Sequence, residues 1–118
     1  MDELVGRLVA ELGIDREVAE KAVGIILAFL IKEAPADKIK PLLDAMPGAE
    51  AAAAAAPSGG AFGMGGIMGV GTQLMGLGLG MGEVQDAART LLGFAREKMG
   101  EDAVGELVAA IPGLSQFA

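Results

Sequence analysis

The side chains that could carry acid or base chemistry in this sequence are almost all carboxylates. Two pairs, Glu17 with Glu20 and Glu83 with Asp86, are spaced so that a helix would place both members on one face. Paired carboxylates could bind a hard cation through their oxygen atoms. Each pair also lies in about the first turn of its predicted helix, where the helix dipole favours acidic side chains. We therefore interpret both pairs as structural rather than as metal ligands.

Other kinds of catalytic site are excluded by residue types that are missing. The 118 residues contain no Cys, His, Trp, Tyr or Asn, which removes thiolate nucleophiles, imidazole bases and most transition-metal ligands. Ser58 lacks the first glycine of a nucleophile elbow. The glycines from 59 to 82 form neither a dinucleotide-binding fingerprint nor a P-loop. We expect a protein that is not an enzyme, with no cofactor, metal site or small-molecule substrate.

Composition narrows the fold class and the class of partner. Nine basic and 16 acidic residues give a net charge of −7, which argues against nucleic-acid binding because that function needs a basic surface. The sequence is 53 % hydrophobic, is rich in Ala and Leu and has only four aromatic residues, all Phe, so we predict an all-α fold. The apolar run 22–31 is too short to cross a bilayer. The first residues, MDELVGR, lack the features of a signal peptide, and we expect an unexported, cytoplasmic protein.

Hydrophobic spacing predicts three helices in the first fifty residues. We expect helices over 2–12, 16–33 and 36–46. Gly13 should take a left-handed conformation between the first two helices, and Asp15 should cap the second. Pro41 lies inside the third helix and predicts a kink or two short pieces.

The remainder of the chain begins with 32 residues, 51–82, that carry no formal charge. The alanine run 51–56 predicts a short helical extension, and the Pro-Ser-Gly-Gly that follows predicts a flexible joint. A Gly- and Met-rich segment, 61–82, then shows apolar residues at helical spacing: Ile67, Val70, Leu74, Leu77 and Met81. Two further helices are predicted over 83–99 and 101–111.

Several residues of the two ends match at one constant offset of 65. The matching sets are Phe29, Asp37, Ile39, Met46, Pro47 and Gly48, and Phe94, Asp102, Val104, Ile111, Pro112 and Gly113. We predict a helical bundle of two related three-helix halves, 1–50 and 67–118, joined by an Ala/Gly-rich linker, 51–66. A chance match between helical segments of similar composition is the alternative. The Leu12-Gly13-Ile14 corner could match either Leu77-Gly78-Leu79 or Leu79-Gly80-Met81.

The corner at Leu12-Gly13-Ile14-Asp15, the Met-Pro-Gly and Ile-Pro-Gly helix stops and the Gly/Met-rich middle resemble a known group of proteins. They are similar to small bacterial all-helical proteins classed as domains of unknown function, including the VcgC/VcgE-like type. The resemblance covers most of the chain. It implies an all-helical fold, and that family has no established activity that could be transferred.

Two surfaces are candidates for an interface. On the second helix, Gly24, Ala28 and Ile31 lie on the face opposite the main apolar arc. Either the other half of the same chain or a second subunit covers this face, and we predict a homo-oligomer or a protein partner. The second candidate comprises Met64, Met68 and Met75 of segment 61–82, because flexible methionines adapt to many surfaces. We predict a non-enzymatic protein-interaction or self-assembly module. The alternative is a peripheral membrane or apolar-ligand binder that uses segment 61–82.

Overall fold

The computed structural model describes residues 2–46, 48–55 and 66–111, and within these ranges every regular element is an α-helix. The all-α prediction is therefore confirmed for the described part of the chain. The helices are α1 (Asp2–Leu12), α2 (Arg16–Glu33), α3 (Ala36–Ala45), α4 (Ala49–Ala55), α5 (Gly66–Gly76), α6 (Met81–Met99) and α7 (Glu101–Ala110).

The first two helices begin and end where the hydrophobic spacing predicted. Gly13 separates them with a φ of 68°, as expected for a left-handed residue after a helix. Asp15 occupies the N-cap position of α2, but its side chain makes no capping hydrogen bond, contrary to prediction. Ala34 ends α2 by donating its backbone N–H to the carbonyl oxygen of Leu30.

Helix α3 runs through Pro41 without dividing into two pieces. In an α-helix the proline removes the hydrogen bond to the carbonyl of the residue four positions earlier, here Asp37. Both Pro41 and Asp37 are exposed residues, so this turn of the helix lies at the surface. The helix ends at Ala45, one residue before the predicted end at Met46. Met46 is the C-cap residue and is fully buried.

Helix α4 crosses the boundary at residue 50 between the predicted first half and the predicted linker. It packs along α2, and Ala49 at its start is buried in the hydrophobic core. Ala52 and Ala53 are half-buried against the same core. These alanines thus add to the cover over the central helix.

The predicted helical seam from Ile67 to Met81 is interrupted. Helix α5 ends at Gly76, and Gly78 takes a φ of 98°, a backbone conformation that residues other than glycine rarely adopt. Met81 is therefore the first residue of α6, which begins two residues before the predicted start at Glu83. Helix α7 ends at Ala110, and buried Ile111 is its C-cap.

The two long helices α2 and α6 contact each other at the centre of the structure. Helix α1 packs against both of them, as does α5, while α3 packs against α6 and α7. One continuous hydrophobic cluster includes residues from all seven helices. Among the described residues, no polar or charged side chain is buried. The charged groups therefore lie around this core rather than in it.

Candidate functional site

The two predicted carboxylate pairs are occupied by local partners. Glu17 forms an ion pair with Lys21 at 3.4 Å, and Glu20 forms one with Arg16 at the same distance. Glu83 accepts a hydrogen bond from the backbone N–H of Gly80 at 3.0 Å, which caps the start of α6. Asp86 lies 3.6 Å from Arg89. All four contacts are within three or four residues along one helix, as the structural interpretation requires.

A polar seam joins α1 to α6, and sequence spacing did not reveal it. Arg7 of α1 donates hydrogen bonds to both carboxylate oxygens of Glu97 on α6, one of them at 2.9 Å. Glu3 accepts from Arg7 at 3.3 Å and lies 3.6 Å from Lys98. The Arg7 guanidinium and the Lys98 ammonium both lie over the ring of buried Phe94, at 5.3 and 5.4 Å from its centroid. These contacts hold the first helix against the sixth.

The two partners at the centre of this seam have shifted pKa values. The hydrogen bond from Arg7 is the main cause that lowers the pKa of the Glu97 carboxyl. The same hydrogen bond raises the pKa of Arg7. Both side chains are partly exposed, so the seam is an ordinary surface ion pair with bidentate geometry rather than a desolvated reactive group.

Beside the seam lies a shallow groove of about 310 Å³. Glu11 lines the groove, and its carboxylate accepts a hydrogen bond from the hydroxyl of Thr90 at 2.8 Å. Gly93 also lines it, and no atom lies within 4 Å of a Cβ built at Gly93. Arg7 and Arg89 carry positive charge into it, and Glu11 and Glu97 carry negative charge. Arg7 and Glu97 pair with each other, and Arg89 pairs with Asp86 beside the groove. The groove thus carries charges of both signs that have partners within the protein, and it selects no single class of ligand.

The predicted interface on α2 is partly hidden within the chain. Gly24 is buried, whereas Ala28 and Ile31 are half-buried. Both α4 and α5 pack against α2. A second subunit would have to make its contact through the remaining surface of Ala28 and Ile31, and the interface at this face stays a prediction.

The methionines of the Gly/Met-rich segment differ in whether the structure describes them and in how exposed they are. Met64 and Ser58 lie outside the described residues, and Met68 lies in α5 with its side chain outside the described part. Met75, at the exposed side of α5, has 46 % of its surface accessible. Met81 is 67 % exposed. Hydrophobic spacing did not reveal it as a surface residue, because that spacing placed Met81 in a continuous helical seam. Met75 and Met81 are the two large hydrophobic residues that the described part of the chain exposes.

Met75 and Met81 lie on either side of the turn between α5 and α6. We call residues 75–82 the methionine corner. Its remaining exposed positions are glycines, and nothing lies within 4 Å of a side chain built at Gly76, Gly78 or Gly82. The corner therefore presents two flexible apolar side chains beside bare backbone, with no formal charge from 75 to 82.

None of the described helices is long and apolar enough to cross a membrane. Within the same residues, no three acidic side chains come together in a way that could hold a metal ion.

No family model, no curated protein and no solved structure matches the chain.

Proposed function

We propose that this protein is a non-enzymatic helical module that self-associates. The observation that carries the proposal is the exposure of Met75 and Met81 on a corner without charge. Exposed methionine is costly to hydrate and adapts its shape to an apolar surface, which suits it to binding. The other described side chains of the surface are mostly charged or small, as a solvated face requires.

The arrangement of polar groups supports a binding role rather than a catalytic one. Catalytic acids and bases are usually tuned by burial or by a dedicated partner in a cleft. Here the lowered pKa of Glu97 comes mainly from a surface hydrogen bond with Arg7, and this pair fastens α1 to α6. The Arg7–Glu97 pair thus holds two helices together, whereas the predicted carboxylate pairs contact partners within or next to their own helices.

A second candidate function is binding of a lipid surface or an apolar ligand through segment 61–82. The absence of charge from 51 to 82 favours it, because such a stretch can enter an apolar environment at low cost. Against it, the nearest charges on either side are Glu50 and Glu83, which anionic lipid would repel. Self-association therefore ranks above lipid binding.

We also propose that the bundle arose by duplication of a three-helix unit. With an offset of 65, the first residues of α2 and α3 (Arg16 and Ala36) correspond to those of α6 and α7 (Met81 and Glu101). The positive-φ residue Gly13 corresponds to Gly78, which favours Leu77-Gly78-Leu79 as the matching corner. The resemblance to small bacterial helical proteins of unknown function is part of the same proposal.

The mass of the wild-type protein, measured by light scattering and by sedimentation over a wide concentration range, tests self-association. We expect the weight-average mass to rise above 11.8 kDa towards that of an oligomer as concentration increases. A mass that stays at the monomer value up to the highest soluble concentration would refute the proposal. Ala28→Glu, with its fold checked by circular dichroism, tests the α2 face separately, since a variant that no longer associates would place the contact there.

Flotation with neutral and anionic vesicles separates the second candidate. Protein that remains in the dense fraction with both kinds of vesicle does not bind lipid. Protein that floats with neutral vesicles and stays monomeric without them would replace self-association by membrane binding.

A further inference from the structure

The thioether of methionine is the most readily oxidised side-chain group in this sequence. The chain has seven methionines and contains no Cys, His, Trp or Tyr, which are the other side chains that oxidants attack readily. A hydroperoxide that meets the protein therefore reacts at methionine sulfur. Which methionine reacts first depends on how easily the oxidant reaches it.

The four methionines whose side chains the structure describes differ widely in access. Met81 and Met75 are 67 and 46 % exposed, Met99 is half-buried against the core, and Met46 is 0 % exposed. The side chains of the other three methionines lie outside the described part of the chain. Among the described side chains, accessible methionine surface is thus concentrated in the methionine corner.

The corner is open to a small, neutral oxidant. Nothing lies within 4 Å of a Cβ built at Gly76, Gly78 or Gly82, so no neighbouring group crowds these backbone positions. Hydrogen peroxide carries no charge, so the net charge of −7 does not repel it. Neither packing nor electrostatics therefore keeps a hydroperoxide away from the two exposed methionines.

The product of the reaction suits the corner and not the core. Oxidation turns a flexible apolar side chain into a polar sulfoxide, whose oxygen accepts hydrogen bonds. At Met81 water provides those bonds. Met46 is fully buried, and among the described residues no polar or charged side chain is buried that could provide a partner there. A sulfoxide at the surface thus leaves the packing of the helices unchanged, whereas one at Met46 would disrupt it.

We infer that the methionine corner is a modification site for hydroperoxides, at which Met81 and Met75 become sulfoxides while the bundle stays folded. The sulfur lone pair attacks one peroxide oxygen, so that an S–O bond forms and the O–O bond breaks. Sulfur is oxidised and the peroxide is reduced. The departing hydroxide takes the proton of the transferred oxygen and leaves as water. The reaction makes an uncharged apolar surface polar, and it goes beyond the proposed self-association because it requires no second copy.

Oxidation rates measured for each methionine test the site. Dilute native protein is treated with hydrogen peroxide, quenched at intervals and cleaved after glutamate. Met46 then lies on a different peptide from Met75 and Met81, which share peptide 51–83 and are distinguished by fragmentation in a mass spectrometer. The same reaction in concentrated urea gives the rate of each methionine without the fold. We expect the fold to slow Met81 by no more than about threefold and Met46 by about tenfold or more, because Met46 reacts only after the core opens.

A pair of variants tests whether the fold tolerates the product. Glutamine is similar in length to methionine and places a polar oxygen where the sulfoxide would carry one. Met81→Gln should leave the urea unfolding midpoint nearly unchanged. Met46→Gln is the matched control, and should lower that midpoint by about 1 M or more or prevent folding.

The outcomes separate this inference from the proposed function. If the fold slows Met81 as much as Met46, the corner is not a site of preferential oxidation and the inference fails. If Met81→Gln lowers the midpoint as far as Met46→Gln does, the bundle does not withstand the modification and the inference fails as well. The mass of the native protein, measured without peroxide, decides self-association independently of both results.

Discussion

Substitution of Leu42 or Leu107 by alanine tests whether the helices form one cooperative structure. Both side chains are 0 % exposed and lie at corresponding positions of α3 and α7, 65 residues apart. Helix α3 packs against α6 and α7, so Leu42 belongs to the same core as the C-terminal helices. If that core unfolds as a unit, each substitution must destabilise the whole bundle and not only the helices next to it.

The expected loss follows from the burial of the two leucines. Replacing a fully buried leucine by alanine costs about 2–5 kcal/mol, which combines the lost transfer free energy with the cavity that remains. A chain of 118 residues has a free energy of unfolding on the order of 6–18 kcal/mol. With a urea m-value of about 2 kcal/mol/M, a loss of about 3 kcal/mol lowers the unfolding midpoint by about 1.5 M. Leu42→Ala and Leu107→Ala should therefore produce similar, easily measured shifts.

Urea unfolding followed by far-UV circular dichroism is the suitable assay, because the chain has no Trp or Tyr for fluorescence. Leu43→Ala is the matched control: it removes the same atoms from the same helix at a half-buried position, and should cost about half as much. A biphasic curve for either buried-site variant would show that the N-terminal and C-terminal helices do not unfold as one unit. A Leu42→Ala midpoint no lower than that of Leu43→Ala would refute the assigned burial.

Two further predictions concern the turn and the polar seam. Gly78→Ala should lower the free energy of unfolding by about 1–2 kcal/mol, because a residue with a side chain is strained at positive φ. Gly93 lies within α6 with open space around it, so Gly93→Ala should raise the free energy of unfolding by about 1 kcal/mol. Thermal unfolding measures both effects. The lowered pKa of Glu97 contributes stability that is complete above the ordinary carboxyl pKa and is lost as the pH falls through the lowered value. The melting temperature of the wild type should therefore exceed that of Glu97→Gln near neutral pH, with a difference that shrinks in acid; a difference independent of pH would contradict the role of the charge.

The helices that the sequence predicted best are those with strong hydrophobic spacing. The ends of α1 and α2 were correct because Gly13 and Pro35 interrupt an otherwise clear pattern. The prediction of one helical pattern from Ile67 to Met81 was wrong at its end. Hydrophobic spacing alone cannot show that Gly78 takes a positive φ and that the chain turns there. The alanine run was predicted as a helical extension, but seven residues that are nearly all alanine have no periodic pattern, so the packing of α4 along α2 could not be derived.

The functional surfaces were less predictable because they depend on contacts between distant residues. Sequence spacing placed Glu17 and Asp86 in about the first turns of their helices and predicted structural roles for them. The structure pairs these carboxylates locally with Lys21 and Arg89. The Arg7–Glu97 pair joins residues 90 positions apart, and no local pattern predicts it. Met75 was named as an interface residue on composition alone, whereas the exposure of Met81 required the corrected position of the turn.

The two central helices differ in burial at positions 65 residues apart. Gly24 and Ile25 are buried on α2, while the residues 65 positions later, Arg89 and Thr90, lie on the surface of α6 beside the polar groove. Gly24 and Ile25 are buried within the chain, and α4 and α5 both pack against α2, so burial within the chain accounts for the apolar character of these positions. No such cause exists among the described residues for the exposed, uncharged Met81. Among the described residues, the exposed apolar side chain of Met81 is therefore a stronger indication of a binding surface than the half-buried face of α2.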